Sequence, residues 1–212
     1  MRNRQDFFDE YDSMMPKFCK PYSKFLEIGA KAVPMNAQSL YDLGIGTGNF
    51  SQMIRQRIPK IKIYGIDLDP KQLKKAGLKL RNAILYQGDM FSLPFPDVDC
   101  IISSLATHHF DNRTRKEKLI HIARSSGLFV NFDIVLFPGY DFNRTIKTIS
   151  EFTRLNFLPE EAEEMEREMR ERDNPMSLEE QVELFESEGF IFEILAANPP
   201  YVVYTVSENK KE

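Results

Sequence analysis

Three glycines at alternate positions, Gly44, Gly46 and Gly48, follow directly on an apolar run in SLYDLGIGTGNF, residues 39–50. Leu40, Leu43 and Ile45 suit a buried strand, and the glycines suit a turn that leads into a helix. A turn whose backbone must approach a ligand closely needs residues without a Cβ, which would fill the ligand's space or forbid the required dihedrals. The dinucleotide fingerprint of oxidoreductases is G-x-G-x-x-G. Counted from Gly44, its third glycine would stand at position 49, which is Asn49 here. The spacing G-x-G-x-G therefore points away from NAD and FAD.

The rest of the chain extends this start into an alternating α/β pattern. After a helix with Phe50, Met53, Ile54 and Ile58 on one face, IKIYGIDLDP reads as a second strand that finishes on Asp67. Asp67 follows Gly44 by 23 residues, close to the interval at which doubly wound folds present a carboxylate to a ribose. A carboxylate accepts hydrogen bonds from both vicinal hydroxyls. The competing role, capping the next helix, falls more naturally to Asp69 before Pro70. A third strand, AILYQGD, ends on Asp89, where an acid can accept a hydrogen bond from an exocyclic amine while Met90 and Phe91 offer apolar contact to a flat base. The fourth, VDCIISSL, is apolar through its middle, as a parallel strand covered on both faces should be. It runs into ATHHFDN, which puts His108 and His109 just past a central strand's carboxyl end, where open α/β sheets bind ligands. GLFVNFDIVLF supplies a fifth strand.

Helices flank this core. Phe7, Phe8, Tyr11, Met14 and Met15 recur at helical spacing, predicting a helix over residues 5–15 stopped by Pro16; a second starts near Pro21 with Tyr22, Phe25, Leu26 and Ala32 inward. Packing on the sheet accounts for both stripes; alternatively, Tyr11 and its neighbours close over a ligand. Residues 141–174 read as two further helices, with Phe142, Ile146, Ile149 and Phe152 on one stripe and Leu158, Ala162, Met165 and Met169 on the next. Glu163/Arg167, Glu166/Arg170 and Glu168/Arg172 stand at i,i+4 on a solvated face. A capping box from Ser177 to Glu180 opens a last helix, ended by Gly189. FIFEILA and YVVYTVS, joined by Asn198-Pro199-Pro200, form an antiparallel pair. We expect one domain over residues 1–212: a helical cap (1–36), a ligand-binding core (37–136), a helical lid (141–174), and a final helix with a hairpin (177–207).

Composition sets the remaining bounds. A net charge of -4 over 212 residues gives no general basic field for nucleic acid, although Lys71, Lys74, Lys75, Lys79 and Arg81 make one helix locally basic. Cys19 and Cys100 follow no metal or redox spacing, so a reducing cytoplasmic location is expected. No apolar run is long enough to span a bilayer, and MRNRQDFFDE lacks the apolar stretch of a signal peptide.

Asp42 with Gly44, Gly46 and Gly48, GIDLDP with Asp67, QGDM with Asp89, and IISSLATHHF, in this order and spacing, resemble the class I S-adenosylmethionine-dependent methyltransferases. The likeness runs over residues 39–136, and the terminal hairpin is similar to the sixth and seventh strands of that fold. It implies a doubly wound, Rossmann-like, seven-stranded and mostly parallel sheet with an antiparallel last strand, with N-terminal helices and a helical insertion after strand five. It also implies S-adenosyl-L-methionine as cofactor and S-adenosyl-L-homocysteine as product. Asp42 and Gly44 would lie against the methionine end and Asp67 at the ribose, with Asp89 and Met90 at the adenine; Gly46, Gly48, Leu68 and Ser104 complete the set.

A sulfonium donor needs no metal, and no metal ligands are expected. A hydroxyl or protonated amine acceptor needs a base, for which His108 and His109 are the candidates; the alternative is that one packs on the cofactor and the other caps a turn. The acceptor pocket would include Tyr11, His109 and Tyr201. NPPY at residues 198–201 matches the acceptor-amine motif of adenine and glutamine methyltransferases, but stands in the wrong part of the fold, after the sixth strand. A small-molecule O, N or C acceptor is the leading expectation. The runner-up is a tRNA wobble-uridine enzyme using the cofactor or its carboxylated form, suggested by FDEYDSMMPKFCKPYSKF, with Arg144 and Arg154 as candidates for the extra carboxylate. A cofactor-binding regulator without catalysis is the third. No membrane partner is expected, and the oligomeric state, monomer or homodimer, stays open.

Overall fold

The computed structural model describes residues 10–209. One seven-stranded sheet runs through them in the order β3-β2-β1-β4-β5-β7-β6. Its strands are β1 (Ser39–Leu43), β2 (Lys62–Asp67), β3 (Ile84–Gln87), β4 (Val98–Ser104), β5 (Ser126–Ile134), β6 (Phe190–Asn198) and β7 (Tyr201–Glu208). β1 to β5 pair in parallel, and β7 enters antiparallel between β5 and β6.

Eight helices cover the sheet among the described residues: α1 (Tyr11–Phe18), α2 (Tyr22–Ala32), α3 (Asn49–Arg57), α4 (Pro70–Lys79), α5 (Arg115–Arg124), α6 (Phe142–Asn156), α7 (Pro159–Arg172) and α8 (Leu178–Ser187). The strand pleat divides the core in two, because successive side chains point to opposite faces. Leu40, Cys100, Ile102, Val130 and Phe132 pack with residues of α1, α2, α3, α6 and α7. Tyr41, Leu43, Ile101 and Phe129 pack on the other face with Leu119 and Ile122 of α5 and Phe185 of α8. This double covering explains the unbroken apolar character of β4.

Local signals read in the sequence have their physical counterparts. Asp69 accepts the Lys71 amide at 2.8 Å as the cap of α4. Ser177 and Glu180 close a reciprocal capping box on α8, and Gly189 has φ +86°. The first helix departs from expectation: Pro16 lies inside α1, which continues to Phe18. Pro16 is exposed, so the hydrogen bond that its missing N–H forfeits is lost on the solvated side, while Met14 and Met15 stay buried. Phe7 and Phe8 lie outside the described residues. The ion pairs of α7 follow expectation in part. Glu166 pairs with Arg170 at 2.9 Å as expected and also with Arg154 of α6, whereas Arg167 meets Glu164 at 3.7 Å instead of Glu163. No helix among the described residues is long and apolar enough to cross a membrane.

Candidate active site

The carboxyl ends of β1, β2 and β4 frame a cleft of about 520 Å³. Gly44 and Gly46 of the turn after β1 line it, with φ of +68° and +53°. A Cβ on Gly44 would come within 2.7 Å of the Ala106 Cβ, so that position admits only glycine. Gly48 is used differently, since it caps α3 and packs on Leu80 of the core, away from the cleft wall. Asp67 closes the turn from below. Its Oδ2 accepts the Gly46 amide at 2.8 Å and its Oδ1 the Asp69 amide at 2.9 Å. Burial raises the Asp67 pKa, against the pull of these bonds. Leu68, Asp89, Met90 and Ser104 stand on the same wall.

Asp42 is buried behind this turn, 1% exposed. Ser51 Oγ donates to its Oδ2 at 2.6 Å, while Oδ1 has no hydrogen-bond partner among the described residues. Burial pushes its pKa up to about 7, assisted by the charge of Asp67 and opposed by Ser51. An orphaned buried carboxylate oxygen beside a glycine turn is the arrangement that a cationic amino group would complete. A ribose suits Asp67, whose oxygens keep further lone pairs beyond those used by the backbone amides. The residues present thus fit an amino-acid nucleoside such as S-adenosylmethionine.

A second, smaller cleft of about 260 Å³ adjoins the first. The two share Tyr11, Leu105 and His109. Leu105 holds φ +53°, a conformation that costs a branched or bulky residue energy and recurs where backbone is forced to serve a site. Apolar side chains from α1, α6 and α7 cover one side of this cleft, Met15, Ile149 and Met165 among them; His108, His109 and Asp173 form its polar end.

That polar end is built from three distant segments. His108, 6% exposed, presents Nδ1 to Asp133 of β5, which also accepts the His108 amide at 2.9 Å and the Thr107 hydroxyl. Burial alone would lower the His108 pKa; the charge and hydrogen bond of Asp133, with the charge of Asp173, outweigh it and raise the value. His109, about half exposed, places Nδ1 3.1 Å from Asp173. Asp133, Thr107 and Asp173 did not stand out in the sequence. Asp173 follows His109 by 64 residues, and no local spacing connects them.

Tyr11 lines both clefts. Its helix is clasped to the glycine turn through Asp12, which accepts from Thr47 at 2.5 Å and Asn49 at 2.9 Å and pairs with Lys79 at 2.5 Å. Tyr201, expected in the acceptor pocket, lines neither cleft. It is 6% exposed, packed on Phe132 and facing the Cys19 thiol, because the β6–β7 turn brings it under α1 and α2 instead of onto their open edge. Arg144 stacks on Tyr140 and Arg154 pairs with Glu166; Arg172 is the arginine on the smaller cleft.

A glycine turn, a ribose-type acid at the end of β2 and the strand order 3-2-1-4-5-7-6 define a class of protein, and comparison with known proteins agrees with it. Residues 40–126 match the family described as a methyltransferase domain. An uncharacterized methyltransferase of Geobacillus thermodenitrificans is 30% identical over 137 residues, 62% of this chain and 61% of that protein. A carboxy-S-adenosyl-L-methionine synthase of Helicobacter pylori (strain Shi470) is 33% identical over 93 residues, 38% of this chain and 39% of that one. The solved plantazolicin methyltransferase BpumL, in complex with a monoazolic desmethylPZN analog and SAH, superposes with a TM-score of 0.68 at 16% identity, over 97% of this chain and 93% of that one; at that identity the likeness is one of fold. The match over residues 40–126, the methyltransferase relatives and the shared fold support a class I S-adenosylmethionine-dependent methyltransferase. The chain spans less than two thirds of the length of the curated relatives it matches.

Proposed function

We propose that this chain transfers a methyl group from S-adenosylmethionine to a small-molecule acceptor held in the smaller cleft. The observation that carries this reading is the junction: a cofactor-sized cleft and an apolar cleft meet at Tyr11, Leu105 and His109. The cofactor supplies a sulfonium methyl that passes to a nucleophile while the electrons of the broken C–S bond return to sulfur, leaving S-adenosylhomocysteine. Asp67 holds the ribose and Asp42 offers its unpaired oxygen to the amino group, while Asp89 and Met90 face the adenine. The residues of α1, α6 and α7 grip the acceptor's apolar body and exclude water, so that its nucleophile is oriented at the junction. If that nucleophile carries a proton, the imidazole of His109 receives it, with Asp173 fixing the ring; His108 stands behind it as the second candidate.

A melting series tests the cofactor. Stabilisation by S-adenosylmethionine and S-adenosylhomocysteine is expected; stabilisation by NAD alone would overturn the reading. Mass spectrometry of ligands copurified with the protein addresses the acceptor. Once an acceptor is known, His109→Ala should lower kcat by about 100-fold with cofactor affinity kept, and unchanged turnover would remove His109 as the base.

The likeness to a carboxy-S-adenosyl-L-methionine synthase favours one second reading, in which the cofactor is the carboxylated form and Arg172 meets the extra carboxylate. Tighter binding of that form, abolished by Arg172→Ala, would select it, and salt-sensitive tRNA binding would extend it to wobble-uridine modification.

A further inference from the structure

Two buried carboxylates and two imidazoles converge at the polar end of the smaller cleft. Asp133 and Asp173 are 1% and 8% exposed, and burying two negative charges demands compensation of equal size. Asp133 claims the Nδ1 proton of His108, which turns the Nε2 lone pair toward the Asp173 carboxylate 3.9 Å away. Lone pairs facing each other across such a gap repel unless a cation lies between them, either a proton on Nε2 or a metal ion. The other charged groups nearby do not fill this role. Among the described residues neither Arg172, on the same cleft wall, nor any other arginine or lysine forms an ion pair with Asp133 or Asp173, and Arg115 is directed to the Asn174 carbonyl at 3.0 Å. With both imidazoles neutral, one divalent ion cancels both carboxylates.

The geometry suits coordination. His108, His109 and Asp173 each offer a ligand atom, and these atoms lie within 4.8 Å of one another. Ligands at about 2.0–2.2 Å from a common ion span such a triangle after small side-chain rotations. A carboxylate on the far nitrogen of a ligating histidine fixes its tautomer and strengthens it as a donor; Asp133 stands in that relation to His108. Two imidazoles and one carboxylate favour zinc or a similar transition metal over magnesium or calcium. Three protein ligands leave a position open, here toward the cleft.

We propose that His108, His109 and Asp173 form a divalent transition-metal site of the kind that takes zinc, with Asp133 as the residue that orients His108. The consequence for catalysis rests on reading the smaller cleft as the acceptor site. With the ion bound, a hydroxyl or thiol of the acceptor at the open position would become more acidic and lose its proton to solvent, and His109 would then serve as a ligand in place of the base role proposed above.

Calorimetric titration of EDTA-treated protein with Zn²⁺ tests the site without any methyl transfer. One ion per chain, bound more tightly than about 1 µM and raising the melting temperature, is expected. His109→Ala and Asp173→Asn should each weaken binding by at least about 100-fold, and Asp133→Asn by about 10–100-fold. His109 is half exposed, so its variant keeps the fold, which the melting curve of the metal-free protein verifies. Failure to bind Zn²⁺ up to about 100 µM overturns the proposal and assigns His108 as an imidazolium clamped between two carboxylates. Zinc binding that survives both His109→Ala and Asp173→Asn also overturns it, by locating the ion elsewhere. Calorimetry with S-adenosylhomocysteine on the same samples separates this from the methyltransferase reading, since its failure alone leaves the zinc result standing.

Discussion

The carboxylate of Asp67 and the amide of Gly46 are joined by a 2.8 Å hydrogen bond that ties the end of β2 to the glycine turn after β1. Both Asp67 oxygens already accept backbone amides, Gly46 on one side and Asp69 on the other. An asparagine at this position must therefore turn its NH₂ toward a donor whichever way it flips. Asp67→Asn should cost cofactor binding at least ~1.5 kcal/mol, about tenfold in Kd. Titration calorimetry with S-adenosylhomocysteine measures this, and unchanged affinity would refute the ribose role.

The two cleft glycines should respond differently to the same added methyl group. Gly46, at φ +53°, has only the Gly44 carbonyl at 4.0 Å near a new Cβ, so Gly46→Ala should cost about 1 kcal/mol of backbone strain. Gly44→Ala adds to comparable strain a 2.7 Å approach to the Ala106 Cβ, which belongs to backbone-anchored chain with no rotamer to yield. Its loss should exceed that of Gly46→Ala by at least ~1 kcal/mol. Urea unfolding of the two variants makes the comparison, and equal losses would mean that the turn relaxes freely.

Asp42 ties stability to pH. Its carboxyl is raised from 3.8 to about 7 by burial, so the folded state binds the proton more tightly than the unfolded state does. The favourable contribution is present in acid and fades as pH rises through the folded value. Between about pH 5 and about pH 8, the ligand-free protein should lose about 2–3 kcal/mol that an Asp42→Asn variant does not lose. Denaturant midpoints for both proteins at the two pH values test this; parallel profiles would show that Asp42 is ionised throughout.

The parts of the site legible in the sequence are those whose partners are local. Gly44 and Gly46 announce a turn by spacing, Asp69 caps the helix that begins one residue later, Asp67 ends β2, and Asp89 stands two residues past the end of β3. His108 and His109 were visible as residues past β4, but their chemistry was not, because Asp133 reaches them across the sheet and Asp173 from the end of α7. Pro16 misled as a helix stop because a proline's cost depends on which face it occupies. Tyr201 follows a two-proline turn between strands, and only the packing of α1 and α2 decides that its ring turns into the core.

Asp12 was equally silent, since its partners come from α3, α4 and the turn that α1 overlies. Through Thr47, Asn49 and Lys79 it fastens the helix carrying Tyr11 over the junction of the clefts. Lys79, Thr47 and Asn49 together hold its pKa below the ordinary aspartate value although burial acts the other way, so the clasp is ionised at neutral pH. The charge is close to half exposed, and the ion pair by itself contributes little to overall stability. Its effect should instead fall on the local opening of α1, four of whose eight residues are exposed. Asp12→Ala should raise the rate at which S-adenosylhomocysteine dissociates by about tenfold, the equivalent of about 1.4 kcal/mol, while the melting temperature of the ligand-free protein shifts by no more than about 2 °C. Stopped-flow displacement gives the rate. A melting shift without a change in dissociation would make Asp12 a plain structural contact, and faster release with an intact fold would identify α1 as the gate.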